Sequence, residues 1–481
     1  MEVISTGDRR PTAGQAQAIG TRGIGHDGVA AGYLFGSAAF LAIGALLWLA
    51  AMASVRFPNL LPLSYGHLRP MALTALWLGW MVLGLSAGIY HLLPRLTGSP
   101  LGAGPIASMA LPASVVVVLL GIVAIAFGFG DGREPFALPA WLDVPVVILA
   151  AVPALATMGT LRARNERSVY PTVWFVIAAV TWLPVLYLAA NLPGLNRVVT
   201  TVSDLVFSAG FLHIWGLGLA TGLAYYVVPK AAGQPLASRQ LARVGFWSLV
   251  FGAVWAGPGQ LVAGPVPDWL QAVSAVLGLA LPVAAVANAA NLAMTIGPRW
   301  KSIGQEPVLG AAVAGSTFAA VATILAAIGG FRSAAVIVAL TAFWDGVIYM
   351  LMFGAVGLLF ASFAWYSLPN MVGRRVDLVR AATLVRRTVL FVALTSLFLV
   401  MAGIAAGYAW AGGAFTGTFV ATGAGWREAT GLSGVLFGLA ILFGIGAFAA
   451  QAGLALSIYR TLTSGRATVQ EVLVSRNLDH E

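Results

Sequence analysis

Few side chains could do chemistry inside the long apolar stretches of this chain. Five histidines and no cysteine exclude disulfides, thiolate metal sites and iron–sulfur clusters, leaving nitrogen, oxygen and methionine thioether ligands. His213 and Asp345 lie in apolar stretches, where an ionisable side chain is a functional hypothesis by default. His213 is either a metal ligand or a neutral, hydrogen-bonded packing residue, and Asp345 is either functional or an interfacial cap.

The other histidines suit structural or solvated positions. His91 lies near the end of an apolar stretch, which favours an interfacial anchor, and His26, His67 and His480 fall in tails or loops. Proton pumps and ion-coupled carriers place several ionisable residues in the bilayer. One central histidine and one candidate acid therefore argue against both classes.

The composition predicts a membrane protein. Hydrophobic residues make up 59% of the chain and charged residues 9%, against about 25% charged residues in soluble domains. The net charge of +10 is explained by orientation in the bilayer and contact with anionic lipid headgroups. Because the sequence has no aromatic–basic cluster and no glycine-rich phosphate loop, we expect the lipid bilayer as its partner and no nucleic acid.

The apolar runs predict an all-α polytopic membrane protein with twelve transmembrane helices. A cytoplasmic N-terminal tail (1–28) and a cytoplasmic C-terminal tail (460–481) flank one membrane domain (29–459). The predicted spans are 29–55, 70–95, 105–129, 140–160, 170–191, 201–228, 243–263, 268–296, 307–330, 335–369, 387–411 and 432–459.

The basic residues predict the orientation. In this topology 20 of the 26 lysines and arginines fall on one side of the membrane. The positive-inside rule then places both termini in the cytoplasm of a multi-pass inner-membrane protein. The opposite side holds Arg56, Arg69, Arg133, Arg197, Arg332 and Arg427.

Several motifs together resemble subunit I of the haem-copper oxidase superfamily, in particular the cbb(3)-type oxidases and the nitric oxide reductases. They occur in the family's order along about residues 60–375, and twelve spans with cytoplasmic termini match as well. The motifs are YGHLRP (65–70), YYVVPK (225–230), WAGP (255–258), PDWLQ (267–271) and LPNMVGR (368–374).

The resemblance implies the fold, but the family's ligands are replaced. Its members use six histidines to hold a low-spin haem, a high-spin haem and a copper ion. Spans seven and ten of this chain contain no histidine. The six matching positions are Ala72, Ala209, Gly259, Gln260, Val347 and Tyr349.

Three functions remain open at this point. We expect a divergent family member without redox centres, a non-catalytic scaffold or partner-binding subunit of a respiratory-type membrane complex, with no cofactor and no metal. An alternative is a protein that binds quinone, lipid or carotenoid in the vacated haem cavity. Another is a catalytic cytochrome c oxidase or nitric oxide reductase subunit with unrecognised haem ligands. The side chains available to hold a haem b would be His213 and the thioethers of Met71 and Met350. The polar residues expected to face the cavity are His213, Gln260, Tyr349 and Asp345.

Overall fold

The structure, a computed structural model, is built from α-helices, and the described residues contain no β-strand. It describes residues 13–166, 168–192, 196–261, 264, 266–416 and 431–464, with the backbone alone for 13–25, 298 and 412–416. We label the principal helices α1 to α12 in chain order, matching the twelve predicted spans.

Eleven of the predicted spans are found, within the described residues, as helices long and apolar enough to cross a membrane. The membrane-crossing part of the first is His26–Arg56, which begins slightly before the predicted tail boundary at residue 28 and lies within a helix that starts at Ala13. Ten are α1 (Ala13–Arg56), α2 (Tyr65–Thr97), α3 (Gly104–Ala126), α4 (Ala140–Arg162), α5 (Pro171–Ala190), α6 (Arg197–Ala232), α8 (Asp268–Ile296), α9 (Pro307–Gly329), α10 (Ala342–Val372) and α12 (Gly431–Thr463). The eleventh is α11, whose membrane-crossing part is Leu378–Ala411 within a helix of Leu378–Thr416.

The seventh predicted span, 243–263, is shorter than expected. The helix α7 covers Arg239–Ala256 and continues as a 3₁₀ turn over Gly257–Leu261. Pro258 explains the change, because proline has no backbone N–H to donate and its ring clashes with the preceding helical turn. The α-helix therefore ends before the two positions that follow the WAGP motif.

The tenth predicted span, 335–369, is broken near its start. A short helix, Arg332–Val338, is followed by Leu340 in a left-handed conformation with φ of 56°. α10 then starts at Ala342, where the Thr341 side chain accepts a hydrogen bond from the Phe343 N–H at 3.3 Å. This cap places Asp345 in the first turn of α10.

Three helices form the centre of the bundle. The most apolar segments of α2, α6 and α10 are 94%, 83% and 94% buried, whereas that of α12 is only 17% buried. Each central helix contains a π-helical stretch: Thr74–Val82, Phe211–Gly218 and Met350–Val356. Such stretches occur frequently at functional sites, and here all three lie in the helices for which the resemblance implies metal ligands.

Candidate functional site

Stacked aromatic side chains fill the space between the central helices. Trp77 of α2 lies parallel to Phe211 of α6, with ring centroids 4.8 Å apart. Trp80 of α2 stacks on Phe353 of α10 at 6.2 Å. All four residues are at most 2% exposed. Planar rings thus occupy the centre of this bundle.

Four of the six replaced ligand positions surround one small cavity. Ala209 of α6, Gly259 and Gln260 of the turn after α7, and Val347 of α10 all line it. Its volume is about 90 Å³. Ala209, Gly259 and Val347 are smaller than histidine. Gln260 carries an amide where histidine carries an imidazole. The fold therefore brings together positions that are far apart in the sequence.

The other two positions, Ala72 and Tyr349, lie away from this cavity. Tyr349 packs against Trp48 at 6.3 Å and Phe353 at 4.7 Å between ring centroids. Tyr349 does not line this cavity, because two residues along an α-helix turn the side chain by about 200° from Val347. Ala72 is completely buried on α2.

His213 lines the same cavity. Its Nδ1 lies 2.8 Å from the backbone oxygen of Ala209, one turn earlier in α6. A carbonyl only accepts hydrogen bonds, so Nδ1 carries the proton and Nε2 is an acceptor in the neutral ring. Metal-binding histidines often donate to a carbonyl in this way, so the geometry alone suits either a ligand or a packing residue.

The side chains around this cavity differ from those that hold the family's redox centres. In the described part of the chain, no three acidic or histidine side chains come together in a metal-binding arrangement. Neither Met71 nor Met350 lines the cavity with His213. Pockets for cofactor-sized ligands measure about 300–1,000 Å³, several times the volume found here. The residues present do not fit the two haems and the copper ion that the resemblance implies.

An ion-pair cluster lies at the end of the bundle where α10 begins. Asp345 Oδ1 is 3.0 Å from Arg69 Nη2 of α2, and Glu134 Oε1 is 3.6 Å from Arg69 Nε. Arg69 also donates to the Tyr65 hydroxyl at 2.6 Å. Asp345 does not line the small cavity, because its position in the first turn of α10 places it in this cluster instead.

The cluster borders a larger open cavity, which we call the vestibule. It measures about 1120 Å³ and has both positive and negative side chains on its walls. Arg133 is paired with Asp204 at 2.6 Å, and although burial acts in the opposite direction, this carboxylate raises the pKa of Arg133. The charged residues lining the vestibule are Arg69, Asp131, Arg133, Glu134, Arg197, Asp204 and Asp345.

A second buried charge cluster lies at the opposite end of α2. His91 is 1% exposed and its Nδ1 is 2.9 Å from Asp27 Oδ1. Arg95 Nη2 lies 2.9 Å from the other oxygen of the same carboxylate. The expectation of an interfacial anchor is wrong for His91, because its side chain is buried. Asp27 was not predicted to be its partner, because residues 1–28 were assigned to a polar tail. The i, i+4 spacing of His91 and Arg95 was the available sequence signal.

Comparisons with known proteins agree with this architecture. The sequence model of the family described as cytochrome c and quinol oxidase polypeptide I matches residues 28–435. The chain is similar to a solved structure described as a heme-copper terminal oxidase dimer, with a TM-score of 0.76, 14% identity and coverage of 92% of this chain and 84% of that chain. At this identity the similarity shows a shared fold.

Two curated relatives give more specific similarity. The chain is 28% identical over 259 residues to the Cbb3-type cytochrome c oxidase subunit CcoN1 of Stutzerimonas stutzeri, covering 51% of this chain and 54% of that protein. It is 30% identical over 305 residues to the cytochrome c oxidase subunit 1 homolog of Azorhizobium caulinodans, covering 60% and 54%. The chain therefore matches about half of the length of these relatives.

Proposed function

The chain belongs to the cytochrome c and quinol oxidase polypeptide I family of the haem-copper oxidase superfamily, and from this premise we propose that it is a redox-silent, non-catalytic subunit. It is an integral inner-membrane protein. In our proposal it acts as a scaffold or partner-binding component of a respiratory-type membrane complex. Both of its termini face the cytoplasm, as the distribution of arginines and lysines predicts.

One observation carries the proposal: the fold is retained while the metal sites are replaced by packed side chains. The replaced ligand positions surround a cavity of about 90 Å³, and the adjoining space holds the Trp77–Phe211 stack. Oxygen reduction needs a cofactor that accepts electrons and binds oxygen. A side-chain set that does not fit such cofactors supports a structural role in place of the family reaction.

The partner-binding role is supported by the relatives. Their names describe them as subunits of oxidases. We propose that other membrane subunits bind this chain.

An absorption spectrum with metal analysis of the detergent-purified protein tests the redox-silent state. We expect no Soret band and less than one tenth of an equivalent of iron or copper, because no side-chain set among the described residues fits these cofactors (a threshold of about 0.1 marks adventitious metal). A Soret band with stoichiometric iron would overturn the proposal. It would direct attention to His213, whose Nε2 is an acceptor.

The apolar-ligand alternative receives less support. Quinones, lipids and carotenoids need pockets of roughly 300 Å³ or more, and the cavity around the replaced positions holds about 90 Å³. The vestibule is large enough, but its walls carry seven ionisable side chains. Lipid extraction that yields one equivalent of such a molecule would restore this alternative.

A further inference from the structure

The small cavity has room for a few molecules of solvent. Its volume of about 90 Å³ corresponds to about three water molecules at the ~30 Å³ that each occupies in the liquid. It adjoins the vestibule, because Arg69, Gln260 and Trp344 line both spaces. The vestibule and the small cavity together therefore extend from the open end of the bundle to its centre.

His213 provides the cavity with a hydrogen-bond acceptor. Its ring is 8% exposed although α6 is surrounded by other helices, and it lines the cavity. Since Nδ1 is engaged by Ala209, the opposite ring edge with Nε2 is the part left for a ligand. A buried acceptor that lacks a donor lowers the stability of the folded state by at least as much as a typical hydrogen bond raises it. A hydrogen-bond donor is therefore favoured next to Nε2.

Three further lining residues carry polar atoms that lack a hydrogen-bond partner among the described residues. These are the indole Nε1 atoms of Trp77 and Trp344 and the hydroxyl of Ser274. Trp77 and Ser274 are each 2% exposed. Buried polar atoms of this kind are normally satisfied by ordered water when protein partners are missing.

We propose that this cavity, here named the His213 pocket, holds a cluster of about three water molecules that is continuous with water in the vestibule. The cluster donates to His213 Nε2 and forms an aqueous path that ends at mid-membrane. The inference rests on the proposed redox-silent function, because a haem would displace this water. A pocket of this size and polarity also admits small neutral solutes that form hydrogen bonds.

The natural absence of cysteine makes the pocket testable with single introduced thiols. Ala209→Cys and Val347→Cys place a thiol in the pocket but away from the vestibule, and Ala220→Cys places one in a completely buried position on α6. Thr201→Cys, which lines the vestibule and not the pocket, is the positive control. The probe is methyl methanethiosulfonate, and mass spectrometry of the reconstituted full chain gives the labelling rate.

The thiolate is the reacting form, so the rate reports hydration. Dry apolar surroundings raise a thiol pKa, and a rise of about two units reduces the thiolate about 100-fold. We expect Ala209→Cys and Val347→Cys to react at least ~30-fold faster than Ala220→Cys and within ~10-fold of Thr201→Cys. If one pocket variant fails to fold, the other carries the test.

The two proposals fail in different ways. Pocket cysteines that react as slowly as Ala220→Cys, in a protein without a Soret band, would overturn the hydrated pocket and leave the redox-silent function intact. Slow reaction together with a Soret band would overturn both. Fast reaction in the absence of haem, slowed by His213→Phe through filling of the space, supports the inference.

Discussion

Arg69 joins α2 to α10 through a single side chain. Its guanidinium contacts the carboxylates of Asp345 and Glu134 and donates to Tyr65. Arg69 stands three residues before Ala72, and Asp345 stands two residues before Val347. The ion pair thus connects the two helices that the family's haem ligands occupy, close to the positions where those ligands are replaced.

We predict that Asp345→Asn lowers the thermal stability clearly, because it removes the shorter of the two ion pairs of Arg69 and leaves only the longer one with Glu134 at 3.6 Å. Breaking such a partly buried pair costs on the order of 2–3 kcal/mol. Arg299→Gln is the matched control, since its pair with Glu306 is more exposed and such pairs contribute about 0–1 kcal/mol. The measurement is the Tm of both variants in detergent.

A double-mutant cycle with Arg69→Gln sharpens this test. If the two residues act as a pair, the double variant loses less stability than the sum of the single losses. Additive losses, or an Asp345→Asn variant as stable as Arg299→Gln, would show that the ion pair does not join the helices.

At the scale of elements, the π-helical stretches of α2, α6 and α10 position the aromatic stacks. A π-helical turn carries more residues than an α-helical turn and so shifts the direction of the side chains that follow it. Trp77 and Trp80 lie in the stretch of α2, and their stacking partners Phe211 and Phe353 lie in those of α6 and α10. The π-helical geometry of these three helices therefore places the aromatic rings where they can stack on one another.

We predict that Trp77→Ala destabilises the bundle by about 3 kcal/mol or more, because it leaves a cavity between α2 and α6 that the neighbouring side chains fill only in part. Trp247→Ala is the control, since Trp247 is 66% exposed on the surface of α7 and its removal leaves no internal space. The Tm of the two variants is compared in the same detergent. Equal losses would mean that the stack does not fill the centre.

At the scale of the whole molecule, the proposed redox-silent state leaves packed side chains, and no bound cofactor, to stabilise the bundle. A ligand that binds only the folded state contributes to stability through its concentration and affinity. In the proposed redox-silent state that contribution is absent for haem and for copper.

We therefore predict that production in a haem-deficient host, with copper chelated, leaves the yield and Tm of this protein unchanged. A haem protein of the same host membrane serves as the control and should lose its folded fraction. A parallel loss for this chain would contradict the redox-silent state.

A partner requirement is also a property of the whole molecule. We predict that purification in mild detergent retains at least one further membrane protein in fixed stoichiometry, as measured by native mass spectrometry. The reason is the proposed role as a subunit, which the oxidase-subunit names of the relatives support. A chain that is always isolated as a monomer without companions would contradict the scaffold role.

The sequence by itself determined the membrane class, eleven of the spans and the family frame. These properties are local: hydropathy over about 20 residues defines a span, and a motif is a short run of residue types. Where the predicted ends of spans seven and ten differ from the structure, the cause is also local: Pro258 ends the α-helix α7, and Leu340 interrupts the chain before α10.

Only the tertiary structure decided which distant side chains meet. Arg69 and Asp345 are separated by most of the chain, and Asp27 pairs with His91 from a segment that reads as a polar tail. The volume left by the missing histidines was equally undetermined, because it depends on how Trp77, Phe211 and their neighbours pack across three helices. Packing and charge pairing between helices depend on their relative position and rotation, which hydropathy and motif spacing do not specify.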